Sequence, residues 1–260
     1  MTIENEEKRK KGHVLLRFRY VVVRSFFKML RMVFQARKIH KNRDKYDELY
    51  RYRHVQKMVT YLRKNAKTTS VVTGEENLPS EGGYIMYANH QGKYDAIGLL
   101  SYHKKPCSVL IEIEHSHVFS TNEAVDLLDG IRIDQKRPRQ QVKCLRQLGE
   151  EVRDKGRRFI VFPEGKWGKN KNTLQEFHDG CFYSAMIAKC PIVPVVLIDS
   201  WKSMNTNRIF GRVVTEIRYL KAIPYSEYEN LTRQELCELV RSRIQSEMNR
   251  VLSERKNATA

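Results

Sequence analysis

The sequence YIMYANHQGKYD occupies residues 84–95 and changes character at its midpoint. Its first five residues are apolar or aromatic, which predicts a buried β-strand. Polar residues begin at Asn89-His90, where that strand should stop. In open α/β sheets, binding and catalytic groups collect just beyond the carboxyl ends of strands. We therefore expect a functional site to begin at His90.

His90 and Asp95 are candidates for a hydrogen-bonded pair. On one regular helix they would point apart, because five residues correspond to a rotation of about 500°. A turn after His90, which Gly92 permits, followed by a helix with Asp95 at its N-cap or first turn, would bring them together. A carboxylate bonded to one imidazole nitrogen leaves the other nitrogen free as a base. The alternative is that Asp95 only caps the helix.

A second apolar run, at residues 158–162, leads directly into Pro163-Glu164-Gly165-Lys166. Proline has no N–H and ends a strand, so Glu164 should emerge at the same edge as His90. Further strands are predicted near residues 71–72, 108–113, 130–134, 190–197 and 212–220, with helices between them. This alternation indicates an α/β fold over residues 67–260, a mixed, largely parallel sheet flanked by helices.

Residues 1–66 are predicted to form a basic amphipathic two-helix segment that docks on a membrane. Residues 1–12 are expected to be frayed, and the helices to cover residues 14–38 and 39–67. Polar, mostly basic residues recur at helical spacing: Arg17, Arg24, Lys28, Arg31, Gln35 and Lys38. The residues predicted to face lipid are Leu15, Leu16, Phe18, Val21, Val22, Phe26, Met29, Leu30 and Val33. The alternative is that this helix packs on the protein's own core.

Charge and composition limit the partners. The 260 residues include 48 basic and 30 acidic side chains, a net charge of +18, which suits anionic lipid or an acidic carrier protein. No nucleic-acid-binding signature accompanies the charge, so we expect no nucleic acid partner.

No uncharged apolar run reaches the roughly 20 residues of a spanning helix. The cysteines are widely spaced, which indicates free thiols in a reducing compartment. We expect the protein to be peripheral or monotopic at the cytoplasmic face of a membrane. The histidines at 103, 115 and 117 form no recognised ligand set, and no metal is expected.

Three motifs in order carry a family resemblance. They are Asn89-His90 with Asp95, an NHxxxxD pattern, then Phe162-Pro163-Glu164-Gly165, then Val193-Pro194-Val195. Over residues 70–220 the chain resembles the glycerolphosphate and 1-acyl-sn-glycerol-3-phosphate (lysophosphatidate) acyltransferase family. Residues 74–79 are also similar to the segment that precedes the first motif in that family.

The resemblance implies a reaction and a set of roles. His90 would be the general base that takes the proton of a glycerol hydroxyl, and Asp95 would orient it. The hydroxyl would attack an acyl thioester of coenzyme A or acyl carrier protein, giving phosphatidic acid for phospholipid synthesis without a cofactor. The residues implied in binding the lysophospholipid acceptor are Asn89, Phe162, Pro163, Glu164 and Gly165; those implied in supporting the pocket are Gly92, Val193 and Pro194.

The chain departs from the family pattern at two places. Family members commonly have Thr-Arg-Ser where this chain has Lys166-Trp167-Gly168, and an arginine where it has Gln135 after Asp134. We predict that Lys136, Arg137, Lys166 or Lys169 binds the acceptor phosphate instead, although lysine acts only as a point charge. Two alternatives stay open: a different lysophospholipid acceptor, and an inactive lipid-surface binding protein on the same fold.

Overall fold

A computed structural model describes residues 3–168, 170–205 and 210–258, without the side chains of residues 3–16 and 205. Its centre is a seven-stranded sheet with the spatial order β1-β7-β6-β2-β5-β3-β4. The strands are β1 (Thr68–Thr73), β2 (Tyr84–Ala88), β3 (Ser108–Glu112), β4 (Ile131–Ile133), β5 (Arg158–Val161), β6 (Ile192–Ile198) and β7 (Val213–Tyr219).

Strand directions confirm the mixed, largely parallel sheet. The strands β6, β2, β5, β3 and β4 run parallel to one another. β7 is antiparallel to β6, and β1 is parallel to β7. Tyr87 lies level with Val161 on one side and Pro194 on the other. The carboxyl ends of the three central strands therefore meet at one edge.

Helices cover both faces of the sheet. They are α1 (Ile3–Lys41), α2 (Glu48–Asn65), α3 (Tyr94–Tyr102), α4 (Ile113–Ser116), α5 (Thr121–Leu127), α6 (Pro138–Lys155), α7 (Tyr183–Ala188), α8 (Lys202–Asn205) and α9 (Arg233–Asn257). Alternate residues of β2 enter separate hydrophobic clusters, as a period of two requires. Tyr84 and Met86 pack with α1, α2 and α3, whereas Ile85 and Tyr87 pack with α6, α7 and α9.

The N-terminal helices differ from the prediction in their bounds. α1 begins at Ile3, so the expectation of a frayed end over residues 1–12 is wrong for the described residues 3–12. α2 begins at Glu48 rather than Ile39, because the side chain of Asp47 caps it by accepting a hydrogen bond from the N–H of Tyr50 at 2.7 Å. Ile39 instead lies buried within α1. The division of the chain at residues 66 and 67 stays a prediction.

The apolar residues of α1 are divided between two surroundings. Met29 and Val33 belong to the hydrophobic cluster shared with the sheet, and Val21 is also buried. Phe18, Val22 and Phe26 are exposed. The predicted lipid face is therefore partly protein core, which was the alternative interpretation. The predicted Leu15 and Leu16 lie outside the described side chains.

Arg17 does not belong to an exposed basic stripe. Its side chain is buried and donates hydrogen bonds to the carbonyl oxygens of Ser203 at 2.8 Å, Ala66 at 2.6 Å and Gly211 at 3.1 Å. Burial lowers the pKa of Arg17 from its ordinary value. This residue ties α1 to the connections around β1 and β7. Among the described helices, none combines the length and the low polarity needed to cross a membrane.

Candidate active site

The predicted site residues meet at the carboxyl edge of the parallel strands. His90 follows β2, Glu164 follows β5, and Ser200 follows β6. All three are buried, with 9%, 2% and 3% of their surface exposed. Because these strands are neighbours in the sheet, chain segments that are far apart in sequence form a single cluster.

His90 and Asp95 form the predicted pair. The distance from His90 Nδ1 to Asp95 Oδ2 is 2.7 Å, and Asp95 lies in the first turn of α3. Oδ2 also accepts the backbone N–H groups of Gln91 at 2.6 Å and Gly92 at 2.9 Å. A carboxylate accepts, so Nδ1 carries the proton and Nε2 is left as the base. The geometry thus fixes both the ring orientation and the tautomer that a base requires.

Gly92 contributes to this turn differently from the prediction. The expectation was that its conformational freedom would permit the turn, but its φ is not positive, in contrast to Gly165, which has a φ of 70°. Among the residues that the structure describes, a Cβ on Gly92 would have the Cα of Trp201 as its neighbour within 4 Å, at 3.8 Å. What Gly92 supplies is its backbone N–H to Asp95.

Aromatic side chains hold the His90 ring. Phe162 stacks on it at a centroid distance of 4.1 Å and an angle of 17°, and Trp167 meets it edge-on at 5.2 Å. The side chain keeps 11% of its surface exposed. Trp167 was noted in the sequence only as a departure from the family pattern, but the structure places it against the candidate base. Its aromatic character beside a polar motif was the available signal.

Glu164 joins the loops that follow β5 and β2. One carboxylate oxygen accepts the backbone N–H of His90 at 3.1 Å, and the other accepts the side-chain amide of Gln175. Burial raises the pKa of Glu164, although these hydrogen bonds oppose the shift. Gly165 is required by its positive φ and because a Cβ would lie 3.1 Å from Cδ2 of His178. Pro163 is buried and accepts the N–H of His178 at 2.9 Å.

Asn89, predicted to bind substrate, uses its side chain within the fold. Its Nδ2 donates to the carbonyl oxygen of Leu197 at 3.0 Å, and its Oδ1 accepts the N–H of Leu197 at 2.7 Å. Only 1% of Asn89 is exposed. Its role in the structure is to join the end of β2 to β6. Val193 and Pro194 lie buried in β6, level with Met86 and Tyr87. Their support of the pocket stays a prediction.

The cations predicted to bind phosphate lie on the exposed side of the site. The Lys136 ammonium contacts Glu114, and Arg137 Nε lies 3.1 Å from Asp134. Both side chains are largely exposed, at 77% and 80%, so these ion pairs add little stability. Gln135 donates to the carbonyl oxygen of Gly165 at 2.9 Å, which brings the loop after β4 to this edge.

Lys166 is exposed beside Gly165, in the loop that follows β5. Lys169 lies outside the described residues.

Sequence reasoning missed several polar residues beneath His90. Gln91 donates to Asn172 Oδ1 at 3.0 Å and to the carbonyl oxygen of Leu197 at 2.8 Å, and it accepts the N–H of Ser200 at 3.0 Å. Ser200 donates to Asp95 Oδ1 at 2.5 Å. Ser200 follows an apolar strand as His90 does, so the same strand-end signal was present in the sequence.

Comparisons with known proteins agree with this geometry. The sequence model of the family described as Acyltransferase matches residues 69–198. A 1-acyl-sn-glycerol-3-phosphate acyltransferase of Saccharomyces cerevisiae is 31% identical over 64% of this chain and 54% of its own length. The human 1-acyl-sn-glycerol-3-phosphate acyltransferase alpha is 28% identical over 59% of this chain and 54% of its own. The chain thus spans about half the length of these curated relatives.

A solved structure shares the whole fold. The crystal structure of the 1-acyl-sn-glycerophosphate (LPA) acyltransferase PlsC from Thermotoga maritima superposes with a TM-score of 0.71. The match covers 94% of this chain and 97% of that one, at 20% sequence identity. The likeness therefore extends over the N-terminal helices as well as the sheet.

Proposed function

The chain belongs to the acyltransferase family, and we propose that it transfers a fatty acyl group from an acyl thioester to the free hydroxyl of 1-acyl-sn-glycerol-3-phosphate, giving phosphatidic acid. The observation that carries the proposal is the His90–Asp95 pair. His90 Nδ1 lies 2.7 Å from Asp95 Oδ2, so His90 Nε2 is not the nitrogen bonded to Asp95. The named activity of the relatives from yeast and human supports the choice of acceptor.

The reaction follows from the protonation state of His90. Nε2 takes the proton of the acceptor hydroxyl while the oxygen attacks the thioester carbonyl. The new C–O bond forms, the C–S bond breaks, and the imidazolium returns its proton to the leaving thiolate. Asp95 stabilises the transient imidazolium without taking a proton itself. A positioned general base typically contributes about 10²- to 10⁴-fold to the rate.

The acceptor head group lies, in this proposal, over Lys166, Lys136 and Arg137, with acyl-CoA or acyl carrier protein as the donor. A second candidate is an acyltransferase that acts on another lysophospholipid. It is favoured by the ion pairs that already engage Lys136 and Arg137, and by the presence of an indole rather than a cation against His90.

The direct test is acyl transfer to lysophosphatidate on anionic vesicles, with each thioester donor, comparing wild type with His90→Ala. We expect a loss of at least about 10²-fold in the variant with folding unchanged. His117→Ala, which changes an exposed histidine outside the pair, is the matched control and should retain activity. Activity that persists in His90→Ala would overturn the role of the base. Transfer only to other lysophospholipids would select the second candidate, and vesicle binding with no transfer to any acceptor would select an inactive lipid binder.

We also propose that the outer face of α1 docks the enzyme on the cytoplasmic face of an anionic membrane. Large apolar side chains are exposed there beside basic ones, including Phe27 at 83%, Val23 at 74% and Phe34 at 58%. Aromatic and aliphatic groups among basic residues are the composition of interfacial helices. Arg31 and Lys38 line the same shallow groove as Phe27 and Phe34, so charge and apolar surface are presented together.

A point substitution tests this face better than a deletion. Removing residues 1–38 would expose the core that contains Met29 and Val33. Phe27→Ser removes apolar surface without opening the core, and it should weaken binding to anionic vesicles by about 10-fold or more if the ring enters the bilayer. Val214→Ser, at a residue of β7 that is 59% exposed, is the control. Equal vesicle affinity for Phe27→Ser and wild type would contradict docking through this face.

A further inference from the structure

Ser200 lies where β6 ends, directly behind the His90–Asp95 pair. It is 3% exposed, and its hydroxyl lies 2.5 Å from Asp95 Oδ1. The other oxygen of Asp95 accepts His90 Nδ1 and two backbone N–H groups. The Asp95 side chain has no exposed surface, so Ser200 supplies the donor that Oδ1 needs in a site closed to bulk water.

The single proton of the Ser200 hydroxyl goes to Asp95. Ser200 Oγ also lies 2.9 Å from Gln91 Oε1, so two acceptors compete for it. The orientation of Gln91 is fixed because its Nε2 donates to Asn172 and Leu197. Oε1 already accepts the Ser200 backbone N–H at 3.0 Å. A carboxylate is the stronger acceptor, and the short distance to Oδ1 agrees with a charge-assisted bond.

We propose that Ser200 is a positioning residue for acyl transfer. Its hydroxyl donates to Oδ1, the Asp95 oxygen that does not bond to His90, and thereby sets how strongly Asp95 binds the His90 imidazolium. This inference rests on the proposed function. The positive end of the O–H dipole points at the carboxylate and partly offsets its charge. Without it, Asp95 attracts the protonated ring more strongly and loses one of the contacts that fix its orientation.

The loop that carries Ser200 is held from the opposite side by α1. The N–H of Ser203 donates to the carbonyl oxygen of Ser200 at 3.1 Å, and the carbonyl oxygen of Ser203 accepts the buried Arg17 at 2.8 Å. The Ser203 hydroxyl pairs with Thr68 rather than with Asp95. Ser203 is therefore a matched control: a buried serine three residues further along, in α8, whose hydroxyl bonds to Thr68 instead of the pair.

The test is the pH dependence of kcat/KM for wild type, Ser200→Ala and Ser203→Ala. For Ser200→Ala we expect the acid limb of the pH profile of kcat/KM to shift to higher pH by about 0.5 to 1 unit, because the imidazolium is held more tightly. Its kcat/KM near neutral pH should fall about tenfold. Ser203→Ala should keep the wild-type acid limb, and Ser200→Thr should restore it. A uniform loss of rate in Ser200→Ala, with the limb unmoved, would show a purely structural role and overturn the proposal.

A readout without catalysis separates this inference from the proposed function. The imidazole resonances of His90, assigned by their loss in His90→Ala, are titrated by NMR in wild type and Ser200→Ala. The titration midpoint should rise in the variant even if no acyl transfer is detected with any acceptor. If Ser200→Ala does not fold, Ser200→Cys keeps the shape with a weaker donor and should give a smaller shift in the same direction. An identical midpoint in wild type and the folded variant would refute the role of Ser200.

Discussion

Replacing Asp95 by asparagine removes the charge of this residue while the surrounding hydrogen bonds keep its orientation. Two backbone N–H groups, from Gln91 and Gly92, point at Oδ2 and cannot reverse. The asparagine must therefore place its carbonyl oxygen there, where it also accepts His90 Nδ1–H. Its amide then faces the Ser200 hydroxyl, which can accept as well as donate. The tautomer of His90 is preserved, so the variant isolates the effect of charge.

The size of that effect follows from the geometry. Nδ1 and Oδ2 are 2.7 Å apart, which puts the centres of the two charges about 4 Å apart. At an effective dielectric constant near 20, that separation corresponds to about 4 kcal/mol between carboxylate and imidazolium. The neutral hydrogen bond retained by asparagine restores part of it, leaving about 2 to 4 kcal/mol. Since each 1.36 kcal/mol or so is a factor of ten, kcat/KM should fall about 30- to 1000-fold.

The assay is steady-state acyl transfer by wild type, Asp95→Asn, His90→Ala and the double variant. Because Asp95 acts through His90, the asparagine substitution should cost little further activity once the histidine is absent. Thermal unfolding of Asp95→Asn should match that of a folded wild-type protein. Activity within threefold of wild type would refute the electrostatic reasoning, as would an equal loss in both backgrounds.

Two further predictions concern stability. Asn89→Ala breaks both hydrogen bonds to Leu197 and removes the acceptor of the buried Leu197 N–H, while the Leu197 carbonyl oxygen keeps its bond from Gln91. The free energy of unfolding should therefore fall by about 1 to 3 kcal/mol in urea titrations, and an unchanged midpoint would contradict the role of Asn89. Burial lowers the pKa of His103 to about 4, below the ordinary value of 6.5. Stability from neutral His103 is therefore complete above pH 6.5 and is lost as pH falls towards 4, by roughly 3 kcal/mol in all. His103→Gln should flatten that part of the stability profile, and an unchanged slope would refute the assignment.

The parts of the site that follow β2 and β5 could be predicted from the sequence, because the sequence pattern shows where each strand ends. β2 and β5 are apolar runs that stop at polar residues, and parallel neighbours end at the same edge. His90 and Glu164 could therefore be placed together although many residues separate them. The pairing of Asp95 with His90 was also accessible, because a turn followed by a helix limits the geometry of so short a segment.

Side-chain direction was harder to predict from the sequence than strand position. Asn89 precedes His90 in the motif and was predicted to bind substrate, yet it points into the sheet toward Leu197. Successive residues of an extended chain face opposite ways, so neighbours in a motif need not share a site. Gln175 reaches Glu164 and Ser200 reaches Asp95 from other loops, and these contacts depend on tertiary packing that no local pattern contains.

The N-terminal helix shows the limit of periodicity most clearly. A helical repeat gives the angle between residues but not what covers each face, so Val33 and Phe26 were assigned to the same lipid-facing surface. Arg17 marks the difference, because a guanidinium can be buried only where acceptors surround it. Its acceptors include the carbonyl oxygens of Ala66, Ser203 and Gly211, all far along the chain. Once Arg17 anchors α1, the core takes one side of the apolar arc. Membrane docking is then left to the other side, and this is why Phe27, rather than the helix as a whole, is the proper place to test it.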